Sequence, residues 1–177
     1  MDGPKTVTAH FAKYGDYTLI VDADPAEGGT VAGGGTYECG TSVIVEAVPA
    51  DERWYFVNWT GDVTDPNSAT TTVYMDSDKT IIANFGKITH TLKVNVSPTD
   101  GGMATLQPAQ PAGGYVAGTG VTLTAIASKG YEFAHWGGDL SGSTNPTSVV
   151  MDGNKIITAD FTQITYILTV DVGPGGT

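Results

Sequence analysis

Apolar and polar residues alternate with a period of two through most of this chain, and the alternation comes in two matching rounds. Leu19 and Val21 recur as Leu92 and Val94, and again as Leu168 and Val170, with unrelated residues (Ile20, Lys93, Thr169) between them. Val43, Val45 and Ala47 recur as Val121, Leu123 and Ala125, and Thr71, Val73 and Met75 as Thr147, Val149 and Met151. Successive side chains leave a strand on opposite sides, so one kept face and one drifting face predict half-buried strands. An aromatic stretch, Trp54-Tyr55-Phe56-Val57-Asn58-Trp59, is matched by Tyr131-Glu132-Phe133-Ala134-His135-Trp136. Phe133 and Trp136 fall on opposite faces under strict alternation, which predicts either a β-bulge or a strand covered on both sides.

Each round closes on one motif. Residues 75–85 read MDSDKTIIANF, residues 151–161 read MDGNKIITADF, and residues 1–11 read MDGPKTVTAHF. A Met-Asp turn leads to Lys and then to a strand whose buried face is Ile81/Ala83/Phe85, Ile157/Ala159/Phe161 or Val7/Ala9/Phe11. Asp76-Ser77-Asp78 and Asp152-Gly153-Asn154 carry the turn chemistry of a final hairpin. Gly28-Gly29 and Gly101-Gly102 are read as turns, and Gln107 to Pro111 as a loop insertion in the second round.

No stretch holds a helical period, so the expected class is all-β. The expected architecture is a set of small tandem β-domains, β-sandwich or β-grasp-like, arranged as beads in a row with short stiff linkers. The period of about 75 residues is long enough for each unit to bury its own core. Residues 17–85 and 90–161 are the two repeat domains, and 86–89 and 162–165 are linkers. Residues 1–16 read as the last strand of a preceding truncated repeat plus a linker, and 166–177 as the first strand of a following one. Such strands need partners, supplied either by continuity in a longer chain or by strand exchange between neighbouring copies of the protein.

Composition narrows the role. The net charge is −11 and the 8 Lys and Arg stand singly, so no basic patch exists to neutralise phosphates and nucleic-acid binding is not expected. No run of about 18 apolar residues is present to insert in a membrane. Cys39 is the one cysteine, which leaves no internal disulfide and no paired-cysteine metal site. Because Ala117 stands in its place in the second round, Cys39 is expected to be a small buried side chain.

The ordered set TLxV, Pro, Gly-Gly, Tyr, Gly-Thr, VxLxA, FxxW, Gly-Asp and MDxxKxIxAxF resembles the divergent internalin B-repeat, a bacterial repeat found in tandem in secreted and cell-surface proteins. The resemblance covers essentially the whole chain. It implies a β-rich domain of or near the β-grasp type, an extracellular or cell-surface location, a spacer, adhesion or filament-building role, and no catalysis. Trp54 departs from the Gly-Tyr start that the second round keeps as Gly130-Tyr131.

The residues themselves agree that no nucleophile, base and acid come together, so no catalytic residue is expected. The function expected is a non-enzymatic structural repeat, with an adhesin-type module for glycans or a cell-surface partner as the alternative. Asp62 and Asp65 with Asn67, and Asp139 with Asn145, are candidate calcium ligands, read against turn-capping carboxylates. Asn58-Trp59-Thr60 and Asn95-Val96-Ser97 fit the N-glycosylation pattern. Trp59, Trp136, Phe85 and Phe161 are expected in the core, whereas Trp54 and Tyr74 are expected outside, where they could stack on sugar rings.

Overall fold

A computed structural model describes residues 3–10 and 15–170. The chain divides after Ile88 into two compact units. The first contains β1 (Asp16–Asp24), β2 (Gly29–Ala32), β3 (Gly35–Glu38), β4 (Ser42–Pro49), β5 (Trp54–Thr60), β6 (Thr70–Tyr74) and β7 (Lys79–Lys87). The second contains β8 (Thr89–His90), β9 (Leu92–Ser97), β10 (Gly102–Gln107), β11 (Tyr115–Val116), β12 (Gly120–Ala127), β13 (Tyr131–Gly138), β14 (Thr147–Val150) and β15 (Lys155–Gln163). Helical structure among the described residues is confined to one 3-10 turn, Ala26–Gly28.

In the first unit a mixed sheet has the order β3-β1-β7-β5, and a second sheet the order β2-β4-β6. The first and last strands, β1 and β7, lie side by side and parallel at the centre of the mixed sheet, each flanked by an antiparallel edge strand. That is the strand arrangement of a β-grasp sheet. The antiparallel second sheet shares its core: Val43, Val45 and Ala47 of β4 and Val73 of β6 pack with Leu19, Trp59, Ile81, Ala83 and Phe85. Two sheets closed over one apolar layer make a sandwich. The second unit repeats the plan, with β13-β15-β9 in one sheet and β10-β12-β14 in the other. Its first strand is broken at Thr91 into β8 and β9, and only the β8 portion pairs with β11.

The alternation predicted for β4, β7, β12 and β15 is observed side chain by side chain. The aromatic strand resolves as a bulge. Its register slips between Phe56 and Asn58, and again between Phe133 and His135. One extra residue turns Phe and Trp to the same face, so Phe133 and Trp136 ring centroids lie 5.0 Å apart and those of Phe56 and Trp59 lie 5.7 Å apart.

Four expectations need correction. Trp54 is buried, 8% exposed, because it stands two residues before Phe56 and shares its inward face, with the Lys87 ammonium 5.0 Å from its ring centroid. Cys39 is half-buried rather than buried. The Met-Asp turn does not close a hairpin: β6 belongs to one sheet and β7 to the other, so the turn carries the chain across the sandwich. The linker between the units is shorter than expected, since β7 runs to Lys87 and β8 begins at Thr89. Residues 3–10 and 164–170, the described parts of the two terminal strand copies, lie outside strands and are exposed, Val7 at 92%. The central place each would take is already filled in both units, by β7 and β15 or by β1 and β9. Phe11 and residues 171–177 lie outside the described residues.

Candidate functional site

The repeated motif works as a latch. Its Lys is largely buried and pairs with the Asp three residues earlier: Lys79 Nζ with Asp76 Oδ1 at 3.0 Å, and Lys155 Nζ with Asp152 Oδ1 at 2.6 Å. Lys79 also contacts the Asp62 carboxylate from the Gly61-Asp62 loop. These hydrogen bonds, donated by Lys79 to Asp62 first and to Asp76 second in effect, hold the Lys79 ammonium above its ordinary range, and Lys79 in turn holds the Asp76 carboxyl below its own. Lys155 lowers Asp152 in the same way. The residue just before each Lys reaches back to the first strand. The Thr18 amide donates to Asp78 Oδ1 at 2.7 Å, and the Thr91 amide to Asn154 Oδ1 at 2.8 Å.

The Gly-Asp loop belongs to the same corner. Gly61 has φ +115°, and a Cβ there would stand 2.8 Å from both the Thr80 carbonyl oxygen and Ile81 Cγ2. Asp139 does not reach Lys155 and instead accepts the Ile156 amide at 2.7 Å. Beyond the loop, the indole N–H of Trp59 donates to the Ser68 carbonyl and that of Trp136 to the Thr144 carbonyl, each at 3.0 Å. Trp59 and Trp136 are thus core residues that also tie the loop closing one side of each sandwich.

The proposed calcium oxygens are engaged by the protein. Asp65 Oδ1 accepts the Asn67 amide at 2.9 Å. Asn145 takes the Ala125 amide at 2.9 Å and donates to the Ala125 carbonyl at 2.8 Å, standing in for the Ala47–Ala69 backbone contact of the first unit. Among the described residues no three His, Cys, Asp or Glu groups gather in one place. Sequence reasoning did not find Asn145 as a strand surrogate. Nor did it find Gln110, whose Oε1 takes the Leu92 amide at 2.8 Å, the insertion thus replacing an edge rung. Of the glycosylation candidates, Asn58 is half-buried and its Oδ1 accepts from Asn84 Nδ2 at 2.8 Å, while Asn95 is half-buried opposite Thr158.

The divergent InlB B-repeat domain family model matches residues 17–89 and, a second time, residues 92–165. The chain belongs to this family. No curated protein and no solved structure matches it. The two matches coincide with the two sandwiches, so each B-repeat here is one unit of fold. The latch, the indole tie and the bulge recur in both B-repeats. The outward positions do not. The cross-strand pair Asn58–Asn84 becomes His135–Asp160, with Nε2 and Oδ2 3.6 Å apart, and Tyr55 over Gly86 becomes Glu132 opposite Thr162.

Proposed function

We propose that these B-repeats are non-enzymatic spacers of a secreted or cell-surface protein. One observation carries the reading: what recurs between the two units is the core and its ties, while the cross-strand pairs on the face turned away from the core change in size and charge. A shared binding task would keep outward residues, and a shared scaffolding task keeps inward ones. The acidic, Thr-rich exterior suits a well-solvated spacer segment. The family's place in bacterial surface proteins supports an extracellular location.

The adhesin-type alternative calls for an exposed aromatic platform. Tyr74 and Tyr55 are outside, but Trp54, the largest candidate, is in the core. Glycan-array and cell-binding assays on the chain separate the two readings. The spacer reading expects no saturable binding, and a binder that Tyr74→Ala abolishes would replace it. Neighbouring copies remain the proposed partners, through the exposed first-strand and last-strand segments.

A further inference from the structure

We infer that each unit is a mechanical clamp built to carry tension along the chain. The inference rests on the spacer reading for its use but on strand geometry for its evidence. The chain enters the first sandwich at Asp16, the start of β1, and leaves it at Lys87, the end of β7. Those two strands are adjacent and parallel, in register from Leu19 opposite Lys79 to Asp24 opposite Asn84. Tension therefore pulls β1 toward its start and β7 toward its end, in opposite directions along a common axis. Evenly spaced rungs of a parallel pair are then stretched together, in shear, instead of one after another. The second unit has the same relation, from Leu92 opposite Lys155 to Ser97 opposite Asp160.

The latch sits where the load enters. Asp78 holds the Thr18 amide and Asn154 holds the Thr91 amide, while the Lys155 amide donates to the Thr91 carbonyl at 2.9 Å. These bonds extend the sheared seam by a rung toward the chain entry. The motif's turn, its Lys and its strand are thus parts of one device. The flanking strands β5 and β13 pair antiparallel with the last strand and keep it from rotating out of line.

The direction of pulling tests this. The 177-residue chain carrying Cys39→Ser is held by its two ends in a force spectrometer and unfolded at constant loading rate. A second form is held by its N-terminal end and by a cysteine placed at the exposed turn residue Ser77. That attachment loads β1 and β7 from the same end, so the same bonds open one at a time. End-to-end pulling is expected to give two events, each releasing on the order of 240 Å of chain, at forces at least twice the peeling force. Equal forces in the two directions would overturn the clamp. Asp78→Ala, at an exposed turn, is expected to lower the end-to-end force of the first unit, and an unchanged force removes the latch from the device. Ligand binding plays no part in this measurement, so failure of the clamp and failure of the spacer reading are separate results.

Discussion

Gly28 lies against Phe85: a Cβ added at residue 28 would stand 2.6 Å from Phe85 Cβ, and one at Gly101 would stand 2.8 Å from Phe161 Cβ. The glycines of each unit are therefore the bed on which the motif's Phe rests, and the turn they make is secondary. Gly28→Ala is expected to overpack the core and cost about 1–3 kcal/mol. For a unit of this size that lowers Tm by roughly 4–8 °C per kcal/mol. Adding Phe85→Leu to Gly28→Ala should not recover the loss, since leucine keeps the Cβ that the new methyl group meets at 2.6 Å. Thermal melts followed by circular dichroism read both effects, and an unchanged Tm in Gly28→Ala would contradict the packing.

The bulge makes a sharper prediction. With Val57 present, Phe56 and Trp59 share the core face; without it, strict alternation sends one of them to solvent. Deleting Val57 should expose Trp59 or Phe56 and cost about 3–5 kcal/mol, the range for truncating a large buried aromatic. Val57→Ala keeps the residue count, and because that side chain is exposed the loss should be small. Tryptophan fluorescence separates them. A red-shifted spectrum is expected for the deletion alone, and equal effects of the two changes would refute the role of the extra residue.

Period-two alternation made β4, β7, β12 and β15 legible, because a residue that faces a core cannot drift while its neighbours can. The bulge was legible only as an alternative, since spacing records an irregularity without saying how the backbone absorbs it. Trp54 was misplaced although the same rule, applied from Phe56 backward, sets it inward. The Met-Asp turn looked like a hairpin because turn chemistry is local, whereas the sheet each strand joins depends on distant partners. Lys79 and its two carboxylates were invisible for a similar reason. Asp76 is close in sequence, but Asp62 meets Lys79 only because loop and turn share one corner.

That corner fixes an acid limb of stability. Lys79 holds the Asp76 carboxyl below the usual carboxylate range, and Lys155 does the same for Asp152. The folded chain thus binds these protons less readily than the unfolded chain. The stability they lend is complete above about pH 4 and is lost as the pH falls through the lowered values. Lys79 runs the opposite way: raised by Asp62 and then Asp76, it stabilises fully below about pH 10 and loses that contribution as the pH rises through its raised value. Calorimetry should find Tm level near neutrality and falling below pH 4. Lys79→Met should lower Tm at pH 6 more than Lys155→Met does, because two carboxylates lose their cation instead of one. The gap between wild type and Lys79→Met should narrow at pH 3, and a gap independent of pH would show that packing of the aliphatic stem, and not charge, explains the loss.

Leu168 is 87% exposed, while its counterparts Leu19 and Leu92 are 2% and 5% exposed. A side chain that is core in both sandwiches is on display in the 164–170 segment, as is Val7 of the last-strand copy at 92%. The register of β1 on β7 sets Leu19, Ile20 and Val21 opposite Lys79, Thr80 and Ile81. Carried over to the exposed copies, it sets Leu168, Thr169 and Val170 of one chain opposite Lys5, Thr6 and Val7 of another. Two strands alone are marginal in water, so such a seam is weak and is best captured covalently. In a Cys39→Ser background, chains with Thr6→Cys and chains with Thr169→Cys should form a disulfide-linked heterodimer when mixed and oxidised at high concentration. Thr122→Cys, on an exposed strand position, replaces Thr6→Cys as the collision control. Leu168→Pro, which removes a donor and lies outside every sheet, should abolish the linkage without changing Tm. A heterodimer yield no greater than the control, or one indifferent to Leu168→Pro, would rule out pairing between copies.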